Sequence, residues 1–221
     1  MFTGIFRCAQ TPVTLALYAP NAMFLKEASK IKKAITEIKK LTKNSSKVVI
    51  AIDGRGGAGK SSLARKIIEK IPDSFHIEYD WFHLPKQKVI NNIRFDNERL
   101  IKEVLIPFSS KQKELKFKKY NWGYVSDIED GFEVETTTVQ SKDILIIEGC
   151  ESINSTLLPF IDFSIWLDTN SEESLRRGTK RDIEEYKLDP VKVNDMWQEW
   201  VAWEREILAK DDRRLKANII I

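Results

Sequence analysis

The residues with the clearest chemical potential in this chain form a glycine-rich run, GRGGAGKSS, over residues 54–62. The run fits the phosphate-binding pattern G-x-x-x-x-G-K-[ST] at every fixed position. In this pattern successive backbone N–H groups point at an anion, Lys60 reaches the outer phosphates, and the Ser61 hydroxyl ligates Mg²⁺. The run therefore predicts that the chain binds a nucleoside triphosphate through Gly54, Arg55, Gly56, Gly57, Ala58, Gly59, Lys60, Ser61 and Ser62.

The segments on either side of this run supply the context that a phosphate-binding loop needs. Residues 48–52 are apolar and mainly β-branched, which predicts a central strand covered on both faces. After the run, Leu63, Ile67 and Ile71 recur at helical spacing, and Pro72 marks the end of the helix. The strand, loop and helix follow in the order that favours a P-loop over an ordinary glycine-rich turn.

A carboxylate follows the next predicted strand. In SFHIEYDWFHLP apolar and polar residues alternate until Asp80, which is expected at the carboxyl end of the strand. Ligands of parallel sheets bind at that edge, so Asp80 could accept a proton from a hydroxyl close to the γ-phosphate. A turn aspartate that caps Trp81 is the alternative. His83 is expected either to line a pocket or to be a solvated loop histidine.

Two further segments could act on phosphate. DILIIEGC, residues 143–150, predicts a buried strand that ends at Glu148, where an acid can hold a water on the Mg²⁺ of the nucleotide. A fourth predicted strand, residues 163–168, precedes RRGTKRD, in which Arg177 and Arg181 could neutralise a transferring phosphoryl group. A solvated helix face is the alternative for this charged segment.

The remaining patterns predict scaffold. Residues 24–41 have the periodicity of an amphipathic helix that packs on the domain with its lysines in water; a membrane-surface or partner-binding helix is the less favoured alternative. The three-residue spacing of Trp197, Trp200 and Trp203 favours core packing over base stacking. KANIII, residues 216–221, predicts a last strand.

Composition sets bounds on the class of protein. The 36 Lys and Arg against 33 Asp and Glu give a formal charge of +3, too balanced to indicate a nucleic-acid or membrane partner. No apolar run approaches the ~18 residues that span a bilayer, and no secretory signal is recognisable. Cys8 and Cys150 do not make a disulfide scaffold, so a cytoplasmic location is expected. A homo-oligomer is left open.

Taken in order, the P-loop, YDWFH, the EG after a buried strand, RRGTKRD and the final ANIII segment resemble the uridine kinase-like branch of P-loop kinases. This branch includes phosphoribulokinase and bacterial pantothenate kinase. The P-loop and the D-x-F spacing of Asp80 and Phe82 are its most specific elements. The resemblance implies a three-layer α/β fold with a five-stranded parallel sheet of order 2-3-1-4-5, helices on both faces, and Mg²⁺ and ATP at the P-loop.

The resemblance also implies domain bounds and roles. Residues 47–221 would form the kinase domain, preceded by an extension and helix over residues 1–46. Asp80 matches the general base of the family, and Ser61 and Glu148 match its magnesium residues. Residues 176–189 match its arginine-bearing lid.

An insertion between the second and third core strands resembles the family's β-hairpin over the acceptor site. It spans about residues 115–138 and contains a D-G turn with alternating apolar residues. By this resemblance Tyr120, Trp122 and Tyr124 would line the acceptor pocket together with Asp80 and His83.

The sequence departs from the family at two positions. His83 stands where uridine kinases typically carry tyrosine, and Gly178 stands where their lid has an arginine. Both departures weaken the expectation of a nucleoside acceptor and leave phosphoryl transfer intact. We therefore expect an ATP-dependent small-molecule kinase that transfers the γ-phosphoryl group to a hydroxyl, with Lys60, Asp80, Arg177 and Arg181 as catalytic residues. An ATP-binding regulatory or switch protein without a metabolite acceptor is the alternative.

Overall fold

The computed structural model describes residues 22–84, 89, 91, 93–120 and 134–221. Five strands pair in parallel in the order β2-β5-β1-β6-β7, and two strands form a separate antiparallel pair. Counted along the chain without that pair, the order is 2-3-1-4-5, so the predicted fold is confirmed. The strands are β1 (Val48–Gly54), β2 (Ser74–Glu78), β3 (Glu114–Tyr120), β4 (Val134–Gln140), β5 (Ile144–Glu148), β6 (Phe163–Leu167) and β7 (Ile219–Ile220).

Helices cover both faces of the parallel sheet. Because successive strand residues point to opposite faces, Val49 of β1 packs in one hydrophobic cluster and Ile50 in the other. A π-helical stretch, Ile101–Leu105, joins two of the helices into one continuous segment. The helices are α1 (Ala22–Leu41), α2 (Lys60–Lys70), α3 (Asn97–Leu100), α4 (Ile106–Ser109), α5 (Ser171–Glu184) and α6 (Pro190–Lys210).

Helix α1 corresponds to the amphipathic helix expected over residues 24–41. Ala34 and Ile38 are fully buried and pack in one cluster with Leu63 and Ile67 of α2. The apolar face of α1 thus rests on the helix that follows the P-loop. In the described part of the chain, no helix has the length and apolarity that a membrane span requires.

The insertion after β2 contains the antiparallel pair β3 and β4, in register from Glu114 opposite Gln140 to Tyr120 opposite Val134. The D-G turn expected between them lies outside the described residues, as do Trp122 and Tyr124. The last strand is shorter than the expected residues 216–221, because Arg213–Lys216 form a 3-10 turn before it.

A buried carboxylate ties the carboxyl ends of the central strands together. Asp53, near the end of β1, is fully buried and accepts hydrogen bonds from the backbone N–H groups of Gly54 at 2.6 Å, Glu151 at 3.1 Å and Ile153 at 3.1 Å. Arg213, 2% exposed, places its Nε 3.1 Å from the same carboxylate. The second guanidinium contact of Arg213 is with Glu151, at 3.3 Å.

Replacement of Arg213 by Met should destabilise the fold strongly, because it leaves Asp53 charged and buried without its cation. We expect the free energy of unfolding, measured by urea denaturation, to fall by about 3–5 kcal/mol. The matched control is Arg214→Met, which removes an arginine that is half exposed and paired with Asp168 at 2.9 Å. Its expected loss is below about 1 kcal/mol. Equal losses for both variants would contradict the structural role of the Asp53–Arg213 pair.

Candidate active site

The predicted phosphate-binding loop lies between the end of β1 and the first turn of α2. Gly57 and Gly59 have φ angles of 75° and 99°, in the left-handed region that other residues rarely adopt. A Cβ on Gly57 would also overlap the backbone oxygen of Ser174 in α5. The loop therefore opens at a helix N-terminus, the usual place for a bound anion, with α5 packed against its glycines.

Lys60 is buried beneath this loop. Its Nζ donates hydrogen bonds to the backbone oxygens of Gly54 at 3.1 Å and Arg55 at 2.9 Å. Burial by itself lowers the pKa of Lys60, but negative charge on Cys150 when it is ionised and on carboxylates that include Glu148 outweighs it and raises the pKa above its ordinary value. The ammonium group is accordingly a fixed positive charge at the P-loop.

Asp80 and Glu148 lie close to this ammonium group. Asp80 sits in the 3-10 turn Tyr79–Phe82, directly after β2. Burial raises the pKa of Asp80, while the charges of Lys60 and Arg181 oppose that rise. Burial also raises the pKa of Glu148, to about 7, against the opposing charge of Lys60 and with a further contribution from Asp80. The structure thus brings the predicted base, the predicted magnesium ligand and the P-loop lysine into one electrostatic group.

The oxygen donors in this group fit Mg²⁺, which prefers hard oxygen ligands. The hydroxyl of Ser61 opposes the rise in the pKa of Glu148, so the two residues predicted to organise magnesium are neighbours. The parallel register of β2 and β5 sets Glu78 beside Glu148, and ligand atoms of His76, Glu78 and Glu148 all lie within 4.8 Å of one another. Two neighbouring carboxylates, of which Glu148 is buried and Glu78 is partly exposed, are stabilised by a nearby cation.

Glu78 was not identified from the sequence. Its position depends on the register between two strands whose sequences are about seventy residues apart. Its charge raises the pKa of both Asp80 and Glu148. The only local signal was its place at the end of β2, two residues before Asp80.

Of the cations in RRGTKRD, two line the same cavity as the P-loop. These are Arg177 and Arg181, the two predicted to be catalytic. Arg177 pairs with Glu173 of the same helix at 2.6 Å, and its side chain is half exposed. The other two point to solvent: Arg176 pairs with Glu173, and Lys180 pairs with Glu184. The solvated-face alternative therefore describes half of this segment.

Packing against α6 explains why residue 178 is a glycine in this chain rather than the arginine expected from the family. A Cβ at this position would overlap the indole of Trp197 in α6. The Trp197 Nε1 donates to Asp182 at 2.7 Å, and Asp182 in turn pairs with Arg181 at 2.7 Å. The space of an arginine at 178 is thus taken by a tryptophan that positions Arg181.

Helix α6 also holds the P-loop through Glu204, a second residue that sequence reasoning missed. This glutamate is buried, and its Oε1 accepts hydrogen bonds from the backbone N–H of Gly56 at 2.6 Å and from Trp200 Nε1 at 2.9 Å. Its Oε2 lies 3.6 Å from Arg55. Glu204 follows the P-loop by nearly 150 residues and looks like an ordinary polar helix residue, so no local pattern marks it.

The three tryptophans of α6 differ in their burial and in what they contact. Trp197 and Trp203 are buried, as expected for core residues, whereas Trp200 is half buried beside the P-loop. A Cβ on Gly56 would lie 2.8 Å from Trp200 Nε1, so the loop and this helix are in close contact. Trp197 and Trp200 both line the cavity at the P-loop, so two of the three tryptophans form a wall of the site and Trp203 packs in the core.

On the acceptor side, His83 is buried and does not fit the solvated-loop alternative. Its Nδ1 lies 2.6 Å from the backbone oxygen of Leu84, which can only accept, so Nδ1 carries the proton in the neutral ring. Burial and the nearby charge of Arg94 together lower the pKa of His83 to about 4, against the opposing effect of this hydrogen bond. The imidazole is therefore neutral near pH 7. Tyr120, at the end of β3, is also buried.

A single cavity of about 1410 Å³ connects these parts. Its walls include P-loop residues such as Lys60 and Ser61 as well as Asp80, His83 and Tyr120. The roles assigned to these residues from the sequence stay predictions, but their grouping around one cavity is a feature of the structure. Trp122, the remaining predicted acceptor residue, lies outside the described residues.

Comparison with known proteins places the chain among similar kinases. The uridine kinase of Macrococcus caseolyticus is 29% identical over 64% of this chain and 71% of the relative. The uridine kinase of Ureaplasma parvum is 26% identical over 71% of this chain and 79% of the relative. A family model described as the NB-ARC domain matches residues 30–122, a range that includes the P-loop and Asp80 and less than half of the chain.

Solved structures show the same fold. A protein described as a possible uridine kinase from Bacillus stearothermophilus matches with a TM-score of 0.59 and 17% identity, over 89% of this chain and 99% of that one. The D-glycerate 3-kinase of Cryptococcus neoformans matches with a TM-score of 0.55 and 12% identity, over 83% of this chain and 88% of that one. Both the sequence relatives and the architecture agree with the predicted resemblance: the chain is similar in sequence to uridine kinases and has the fold of P-loop kinases.

Proposed function

We propose that this chain is an ATP-dependent kinase that transfers the γ-phosphoryl group to a hydroxyl of a small-molecule acceptor. The observation that carries the proposal is the cavity shared by the P-loop and Asp80. Its volume of about 1410 Å³ exceeds the ~300–1,000 Å³ of common single-ligand sites, so it offers room for a nucleotide and a second molecule. A kinase needs that second space beside the γ-phosphate.

The chemistry assigns one task to each group. The acceptor oxygen attacks the γ-phosphorus while the bond from phosphorus to the β,γ-bridging oxygen breaks, and ADP leaves with that oxygen. Asp80 takes the hydroxyl proton, which suits a carboxylate whose pKa burial has raised. Lys60 and the loop amides hold the phosphates, and Arg177 and Arg181 face the developing charge. Mg²⁺, held by Ser61 and Glu148, would neutralise phosphate charge when bound.

The acceptor is proposed only as a class. The relatives named uridine kinase make nucleosides the first compounds to test. The buried neutral His83 and the tryptophan packed on Gly178 give this chain a pocket of its own, so other small alcohols belong in the same screen. A switch protein that only senses ATP would need no second site, and the shared cavity favours the kinase over it.

Replacement of Asp80 by Asn should abolish transfer and spare nucleotide binding. Asparagine keeps the shape of aspartate but cannot take the proton, so we expect turnover to fall by about 10²–10⁴-fold. Turnover is measured as Mg²⁺-ATP consumption across nucleosides, pantothenate-like alcohols and sugars. ATP affinity, measured by isothermal titration calorimetry, should stay within about threefold of the original. An Asp80→Asn protein that still phosphorylates the acceptor would refute the base assignment.

Replacement of Lys60 by Ala should damage both binding and turnover, because it removes the buried cation that reaches the outer phosphates. We expect the dissociation constant for ATP to rise roughly tenfold or more. Lys70→Ala serves as the control, since Lys70 is exposed in the last turn of the same helix. If both lysine variants bind ATP as the original protein does, the P-loop does not serve as the phosphate site.

Replacement of Glu204 should separate hydrogen bonding from charge at the P-loop. Glu204→Gln keeps an oxygen for Gly56 and Trp200, whereas Glu204→Leu leaves the buried Gly56 N–H without its acceptor, at a cost of about 1–3 kcal/mol. We expect ATP affinity to be highest for the original protein, lower for Glu204→Gln and lowest for Glu204→Leu. Glu206→Leu, on the exposed side of α6, is the control. Equal ATP affinity for the Leu variant and the original would show that Glu204 does not position the loop.

A further inference from the structure

Arg94 is a cation in the cavity wall for which neither the P-loop nor the transfer step has a use. It lies between His83 and α3, and its backbone oxygen accepts a hydrogen bond from the Leu84 N–H at 2.6 Å. The guanidinium carbon is 4.7 Å from the ring centre of Trp203 and 5.6 Å from that of Trp200. Two indoles of α6 thus form a platform under this arginine, which limits its rotation.

Arg94 differs from the other half-buried arginines in its charge environment. Within the described residues, no carboxylate lies within 4.0 Å of its guanidinium, whereas the neighbouring Arg99 has both Asp96 and Glu103 at or within that distance. Burial lowers the pKa of Arg94, and the charges of Glu199 and Glu151 oppose this only from a longer range. Its desolvation is therefore not balanced by an ion pair in the described part of the chain.

The position of Arg94 is on the acceptor side of the cavity. Its charge acts on His83, which follows Asp80 by three residues, and both line the same cavity as Asp80. Lys119, another residue of this wall, lies with its Nζ 4.5 Å from the ring centre of Trp81. The P-loop supplies its own cation, Lys60, for the nucleotide. An additional oriented guanidinium here suits a group on the second molecule.

We propose that Arg94 forms a subsite for an anionic group, a carboxylate or a phosphate, carried by the hydroxyl acceptor. The inference rests on the proposed kinase function and narrows its acceptor class to hydroxyl compounds that bear a negative charge away from the reacting hydroxyl. The planar guanidinium can donate two parallel hydrogen bonds to either anion, and its contacts with the two indoles restrict where the group lies in the cavity.

Matched pairs of acceptors test this subsite. D-pantothenate against D-panthenol tests a carboxylate, D-ribose 5-phosphate against D-ribose tests a phosphate, and uridine is a neutral reference. We measure kcat/KM and, independently of turnover, the dissociation constant of each compound by isothermal titration calorimetry at fixed salt. The full chain should prefer the anionic member of at least one pair by roughly tenfold or more. The pair that shows the preference distinguishes a carboxylate from a phosphate.

Variants then assign the preference to one side chain. Arg94→Met should remove it while it changes the affinity for the neutral member by less than about threefold, and Arg94→Lys should retain part of it because the charge remains. Arg205→Met removes an exposed arginine of α6 and should leave the preference unchanged. If Arg94→Met binds both members of the pair equally weakly, and Arg94→Lys binds both as the original protein does, Arg94 has only a structural role and the subsite proposal is wrong.

The two proposals fail in different ways. If the original chain binds or turns over the members of every pair equally well, the anionic subsite is wrong and the kinase proposal stands on the Asp80 result. If ATP consumption depends on no acceptor and calorimetry still detects an anion preference that Arg94→Met removes, the subsite is supported and the kinase proposal is wrong. If neither acceptor-dependent ATP consumption nor an anion preference is detected, both proposals are wrong.

Discussion

The buried carboxylate of Asp53 is the interaction on which the geometry of the site depends. Asp53 lies at the junction of β1 and the P-loop. Its carboxylate accepts hydrogen bonds from the backbone N–H groups of Gly54 and of Glu151, which lies in the loop after β5. Arg213, just before β7, supplies the compensating charge. A buried carboxylate needs its donors, so Asp53 holds those three segments close together. The same arrangement sets the P-loop beside Glu148, so Asp53 helps to fix the positions of the predicted phosphate site and the predicted magnesium residue relative to each other.

Helix α6 adds a second constraint from the other side of the loop. Glu204 accepts the Gly56 N–H, and Trp197 fills the space beside Gly178 and donates to Asp182. The arginine-bearing helix α5 is thus packed against α6 and the P-loop rather than standing apart. Gly56 belongs to the P-loop motif, whereas Gly178 is a departure from the family pattern. Both positions require glycine for the same reason, because tryptophans of α6 approach the backbone there.

The parts that could be predicted from the sequence are those with local signals. The P-loop needs glycines at fixed spacing, the central strands are continuous apolar runs, and α1 has a clear helical period. Each of these patterns lies within one short segment of the sequence. Asp80 followed from its place at a strand end. The strand order came from the resemblance, because no local pattern encodes it. Glu78 and Glu204 were missed because their roles arise from strand register and from contacts across the whole chain.

The distribution of charge around the cavity would orient the proposed anionic acceptor. At Asp80 three carboxylates, those of Asp80, Glu78 and Glu148, outnumber the two cations that act on them, Lys60 and Arg181. The protein therefore has no excess positive charge there for an acidic acceptor. A negatively charged compound that entered with its anion toward Asp80 would meet like charge in a poorly solvated place, at a substantial cost. Arg94 offers the opposite sign in the same cavity. Repulsion at one place and attraction at the other would turn the molecule so that its hydroxyl faces Asp80, which is the orientation that in-line transfer requires.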